Sequence, residues 1–130
     1  MKLIKNNLSE KLIINKYLKK LNFKNNGTFD FENDGAYLDL ISKNYKLTVT
    51  TDNISEDIDF FSNDDPKSIA QKITTVNLSD IFAMGAVPHS YLLNLHLPNH
   101  INENWLNSFS NQLKRIQHKY GFSLLGGDLS

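Results

Sequence analysis

Val76-Asn77-Leu78-Ser79-Asp80-Ile81-Phe82-Ala83-Met84-Gly85-Ala86-Val87-Pro88 carries a helix into a strand and sets one acid among apolar neighbours. Asp65 as N-cap and Pro66 in the first turn predict a helix that enters this stretch and runs to Gly85, after which Val87-Pro88 breaks the chain. At about 100° per residue, Ile69, Ile73, Val76, Ala83 and Met84 fall near one line, and Asp80 lies inside that stripe. A carboxylate turned toward a core costs several kcal/mol unless hydrogen bonds, a cation or a metal compensate it. Asp80 therefore calls for a partner, either neighbouring amides in a structural role or a cation shared with acids from elsewhere.

Downstream, His89 to Leu97 alternates, with Tyr91, Leu93, Leu95 and Leu97 on one face and Ser90, Leu92, Asn94 and His96 on the other, the pattern of a half-buried strand closed by Pro98. Asn102 caps a further helix on which Trp105, Phe109, Leu113, Ile116 and Tyr120 recur at helical spacing, and Gly121 stops it. Phe122 to Leu125 forms a last strand leading into Gly126-Gly127-Asp128. Upstream, Ser9 caps a helix to about Lys20, with Ile14, Leu18 and Leu21 on one side and Asn25-Asn26-Gly27 as its end. Tyr37 to Ile41 and Lys46 to Thr51 make a hairpin, Leu47 and Val49 pointing one way and Lys46, Thr48 and Thr50 the other. After the first helix the order is ββαβαβ, an α+β sheet with helices on one face. Residues 1–30 read as an N-terminal helix and linker, and residues 31–130 as one domain.

With 130 residues, 40% hydrophobic content, eight Phe and five Tyr, the chain can bury one ordinary core. No apolar run approaches the roughly 18 residues needed to span a membrane. Cysteine is absent, which excludes disulfides, thiolate catalysis and Cys-based zinc sites and agrees with a cytoplasmic location. Formal net charge is zero over the whole chain but unevenly placed, with seven lysines against Glu10 alone from Lys2 to Lys24 and six acids with no basic residue from Asp52 to Asp65, and both stretches read as solvated surfaces. Arg115 is the sole arginine and no aromatic-basic interleaving is present, so a nucleic-acid partner is not expected.

Four acids terminate or interrupt elements: Asp34 before the hairpin, Asp52 after its second strand, Asp80 on the helix and Asp128 after the last strand. Carboxylates gathered at one place repel unless cations sit between them, and oxygen ligands without Cys favour a hard ion such as Mg²⁺. Gly126 and Gly127, lacking Cβ atoms, would let backbone amides approach a phosphate, which points to Mg²⁺ on a nucleotide. His89, His96, His100 and His118 share no metal-like spacing and read as surface or core.

The ordered set Asn33-Asp34-Gly35-Ala36, Thr50-Thr51-Asp52, Asn77 to Pro88, Trp105-Leu106 and Leu125-Gly126-Gly127-Asp128 resembles the N-terminal half of the thiamine-monophosphate kinases, in the PurM-like superfamily. The resemblance spans about Phe31 to Ser130 and implies a ferredoxin-like α+β domain that dimerises through its sheet. It implies Mg²⁺ as cofactor and ATP as phosphoryl donor to thiamine phosphate. Matched position by position, Asp34, Thr50, Thr51, Asp52, Asp80 and Asp128 would hold metal, and Gly126, Gly127 and Asp128 would meet the nucleotide. Asp59 stands where the family has a substrate-contacting His, and Asn33 stands where it has a second aspartate. The chain ends at Ser130, so the family's C-terminal domain is expected to be absent or separately encoded and this chain alone to lack activity. The alternative is a non-catalytic dimerisation or binding module descended from such an enzyme.

Overall fold

The computed structural model of the chain describes residues 9–22, 31, 44 and 47–130. Asp34, Gly35, the expected strand Tyr37 to Ile41 and the turn at Asn25-Asn26-Gly27 lie outside the described residues. Ser9 accepts the Leu12 amide at 3.3 Å and opens α1 (Glu10–Ile13), which continues as a π turn over Ile14–Leu18 and a 3₁₀ turn over Lys19–Leu21. The wider π turn shifts which residues align, so the buried set is Ile13, Tyr17 and Leu21, while the expected Ile14 and Leu18 are only half-buried.

Asp65 and Pro66 do start a helix, α2 (Pro66–Ala83), with the Asp65 carboxylate accepting the Lys67 amide at 3.0 Å. Its end is a Schellman motif. Gly85 takes the left-handed φ of 67°, its amide donates to Phe82 O at 2.9 Å, and the Ala86 amide donates to Ile81 O at 3.0 Å.

Strand β1 (Ser90–Leu95) alternates as its sequence requires, Tyr91, Leu93 and Leu95 half-buried and Leu92 and Asn94 exposed. Asn102 caps α3 (Glu103–Tyr120), accepting the Trp105 amide at 3.0 Å, and Gly121 ends it at φ 77°. The helix buries Leu106, Phe109, Leu113 and Ile116, so its apolar stripe is the expected one with Leu106 in place of the half-buried Trp105 and Tyr120.

Strand β2 (Ser123–Leu129) pairs parallel to β1, and α3 is the crossover between them. The final strand thus runs three residues past Gly126, and Asp128 lies within it rather than after it. A bulge between Tyr91 and Leu92 leaves Leu125 unpaired and sets Gly126 opposite Leu92, Gly127 opposite Leu93 and Asp128 opposite Asn94.

Helices α2 and α3 pack on each other and on the inner face of the sheet, where Leu21, Ile69, Ala70, Phe109, Leu113 and Leu124 form one buried cluster. Full burial of a Leu or Phe contributes about 1.5–3 kcal/mol, so this cluster is the main stabilising element. The stacked rings of Trp105 and Phe109, 4.9 Å between centroids, extend it. Gln117 ties α3 to the end of the first helical segment, its Nε2 donating to Leu21 O at 2.6 Å. The described part is therefore α+β with helices against a small parallel sheet. Among the described residues no helix is long and apolar enough to cross a membrane.

Candidate functional site

The buried arc of α2 is centred on Ala70, Thr74 and Leu78, not on the line through Ile73, Val76 and Met84. Asp80 consequently lies at the margin of that arc and is exposed, and Met84 is 71% exposed. The expectation of a carboxylate turned into the core is corrected here. α2 meets both α3 and the sheet, so its contact surface is broad and displaced around the helix from the apolar line in its sequence.

The segment 47–52 runs past this margin. Its alternation holds, with Thr48 and Thr50 half-buried and Leu47 and Val49 exposed, so the threonines form its inward side. No strand partner of this segment lies among the described residues, so the expected hairpin is described on one side only. Thr50 Oγ1 donates to Asp80 Oδ2 at 2.9 Å. Two residues on, the Asp52 amide donates to Asn77 Oδ1 at 2.9 Å, and Asn77 Nδ2 donates back to Asp52 O at 3.1 Å and to Ile73 O at 3.0 Å. Three of the expected site residues, Thr50, Asp52 and Asp80, are thus brought to one place; Thr51 is exposed between them. Asn77, which sequence reading quoted only as part of a motif, is the residue that fixes Asp52.

The donor set is oxygen alone, and it is underused by the protein. Among the described residues, one carboxylate oxygen of Asp80 and the exposed carboxylate of Asp52 have no protein partner. Asp128 is exposed on β2, its amide donating to Asn94 Oδ1 at 3.1 Å and its carboxylate without a partner among the described residues. Asn94 was a second residue without a role in the sequence. Among the described residues no three Asp, Glu or His side chains stand close enough to enclose a metal by themselves. Asp34 lies outside the described residues.

The glycines before Asp128 divide. A Cβ on Gly127 would lie 1.8 Å from the Leu93 carbonyl oxygen, and its φ is 152°, so glycine is demanded there by the neighbouring strand. At Gly126 the nearest atom to a Cβ is Leu92 Cδ2 at 3.8 Å, an ordinary contact that demands nothing.

Asp59 is part of a turn. Its Oδ2 accepts the Ser55 amide at 2.8 Å, its carbonyl accepts from Lys72 Nζ, and Asp57 beside it takes a left-handed φ of 65°. Asp64 and Asp65 likewise accept the Phe61 and Lys67 amides, at 2.9 and 3.0 Å, so half of the acidic run 52–65 shapes the chain.

Residues 32–130 match the family described as AIR synthase related protein, N-terminal domain. The chain is 40% identical over 95 residues to a thiamine-monophosphate kinase of Haemophilus influenzae, covering 73% of this chain and 29% of the relative. It is 38% identical over 116 residues to one from Buchnera aphidicola subsp. Schizaphis graminum, covering 89% and 36%. Its structure is similar to the crystal structure of thiamine monophosphate kinase from Aquifex aeolicus, with a TM-score of 0.57, 28% identity, and coverage of 59% of this chain and 26% of that one. The chain spans about a third of the length of the curated relatives it matches.

Proposed function

The chain belongs to the AIR synthase related protein family, of which it carries the N-terminal domain, and we propose that it is the Mg²⁺- and ATP-binding part of a kinase that converts thiamine phosphate to thiamine diphosphate. The observation that carries this reading is the meeting of Thr50 with Asp80 and of the Asp52 backbone with Asn77, across 30 and 25 residues of sequence, which joins the segment bearing Asp52 to the turn of α2 that bears Asp80. A site that offers an ion one or two carboxylates suits Mg²⁺, which keeps several waters and completes its shell with substrate phosphates rather than a closed protein cage.

In this reading Asp80 and Asp52 each offer a carboxylate oxygen, Thr50 orients Asp80, and Asp34, Thr51 and Asp128 complete the metal set. Gly126 and Gly127 supply backbone against the nucleotide. Mg²⁺, when bound, neutralises the crowded phosphates, the principal need in transfer of the γ-phosphoryl of ATP onto a phosphate oxygen of thiamine phosphate. The carboxylates would hold the ion rather than the phosphates themselves, and the reaction requires no protein acid or base. Asp59, engaged by Ser55, serves better as a support of the loop than as a phosphate contact.

The rest of the reading follows the family. The domain occupies residues 31–130 with a ferredoxin-like ββαβαβ order, works in the cytoplasm, and pairs with a second copy through its sheet. Leu92 at 68%, Leu47 at 61% and Val49 at 78% exposure are the apolar surface available for that pairing.

Calorimetric titration of the chain with ATP in Mg²⁺ tests the proposal. Binding should require the ion and weaken at least about tenfold in Asp80→Asn, the loss of one charged ligand. Tight binding indifferent to that substitution would overturn the site.

A further inference from the structure

We infer that Asn77 is a positioning residue, acting through the backbone of Asp52 to hold that carboxylate beside Asp80; the inference rests on the Mg²⁺ site proposed above. An Asn side chain has one acceptor oxygen and two donor hydrogens in a plane, and here each is used. Oδ1 takes the Asp52 amide at 2.9 Å, and Nδ2 gives one hydrogen to Asp52 O at 3.1 Å and the other to Ile73 O at 3.0 Å. The amide orientation is set by these partners, because exchanging its oxygen and nitrogen would face N–H with N–H once and oxygen with oxygen twice.

Two of the bonds go to one residue and imitate a rung of a β ladder, so the Asp52 peptide is held in both directions. The third bond, to the carbonyl four residues back, pins the side chain to its own helix. Asn77 and Asp80 are three apart on α2 and share a face. The helix therefore presents an amide for the backbone of Asp52 and a carboxylate for the hydroxyl of Thr50, and the two-point attachment fixes where the Asp52 side chain leaves the chain. Both donor hydrogens of Asn77 and one lone pair of its Oδ1 go to backbone, so it has no donor left for a nucleotide phosphate. Its role is to place another residue.

The side chain is specific to this task. Asp in its place would keep the acceptor for the Asp52 amide, lose both donors and set charged oxygen against two carbonyls. It would also add negative charge beside Asp52 and Asp80, which by charge alone attracts a cation more strongly. Gln would carry the same groups one methylene further out, past the register that Asp52 requires.

The test uses the whole 130-residue chain, with Mn²⁺ as the probe and free Mn²⁺ read by electron paramagnetic resonance. Asn77→Ala should weaken Mn²⁺ binding about tenfold, as loss of one or two positioning hydrogen bonds would. Asn77→Asp should weaken it too, against the direction of its added charge, and Asp80→Asn gives the loss of a ligand itself. Unchanged affinity in Asn77→Ala, or tighter binding in Asn77→Asp, while Asp80→Asn weakens binding, would overturn the role of Asn77 and leave the site standing. An Asp80→Asn chain that binds Mn²⁺ as before would overturn the site and the inference with it. Amide hydrogen exchange in the unsubstituted chain adds a measurement independent of how the variants fold. The Asp52 amide should exchange at least about tenfold more slowly than the Asn53 amide, and equal rates would remove the bracket on which the inference stands.

Discussion

Thr50 Oγ1 donates a 2.9 Å hydrogen bond to Asp80 Oδ2, joining the extended segment before the acidic loop to helix α2. A hydrogen bond to a charged acceptor contributes about 1.5–3 kcal/mol where it is shielded and less where water competes. Since Asp80 is exposed, Thr50→Val should cost about 1 kcal/mol in urea unfolding, and Thr50→Ser should recover most of it. A Val variant as stable as the parent would show that the bond adds nothing.

The two glycines of β2 make opposite predictions. Gly127→Ala places a Cβ on the Leu93 backbone at a φ that other residues rarely adopt, so β2 must shift and at least about 3 kcal/mol should be lost. Gly126→Ala, with only Leu92 Cδ2 nearby at 3.8 Å, should stay within about 1 kcal/mol of the parent. Thermal melts of the pair check the contrast, and equal melting temperatures would contradict the register of the two strands.

Gly85 differs from both, since nothing lies within 4 Å of its added Cβ and only its φ of 67° is at stake. Gly85→Ala should cost about 1–2 kcal/mol, the left-handed penalty, while Gly85→Asn should cost less because Asn tolerates that region. Loss of helicity at the end of α2, read by amide exchange at Ala86, should follow the same order.

Tyr91 carries a buried hydroxyl without a partner among the described residues, and burial pushes its phenol well above the ordinary value of 10.0. The raised folded value means that its contribution is intact below pH 10.0 and is lost as pH rises above it, because the unfolded chain then ionises first. Ultraviolet titration should find Tyr91 resisting ionisation until the protein unfolds. Tyr91→Phe keeps the ring contact with Phe122, 5.3 Å between centroids, and should be neutral or stabilising by up to about 1 kcal/mol. It should also remove part of the alkaline loss.

Much of the fold is legible in local signals. Asp65-Pro66 begins α2, Gly85 and Gly121 end their helices, Asn102 caps α3, and the alternation from Tyr91 to Leu97 is that of a half-buried strand. These features depend on neighbours within about one turn, which sequence displays directly. What is not legible depends on distant neighbours. The burial of α2 was misplaced because its partners α3 and the sheet, not its own apolar line, select the buried arc. The demand for glycine at 127 comes from Leu93, 34 residues before it, and shows only once the two strands are paired. Asn77 and Asp52 are polar residues in a polar context, and only their meeting across 25 residues gives the amide a task.

The proposed ion site has a direct spatial test. Mn²⁺ added with ATP to the isotope-labelled chain broadens the magnetic resonance signals of nuclei close to where it binds. The signals of Thr50, Asp52 and Asp80 should disappear first, at Mn²⁺ levels that leave the turn at Asp57 to Asp65 intact. Broadening that begins in that acidic turn and spares Asp80 would contradict the account.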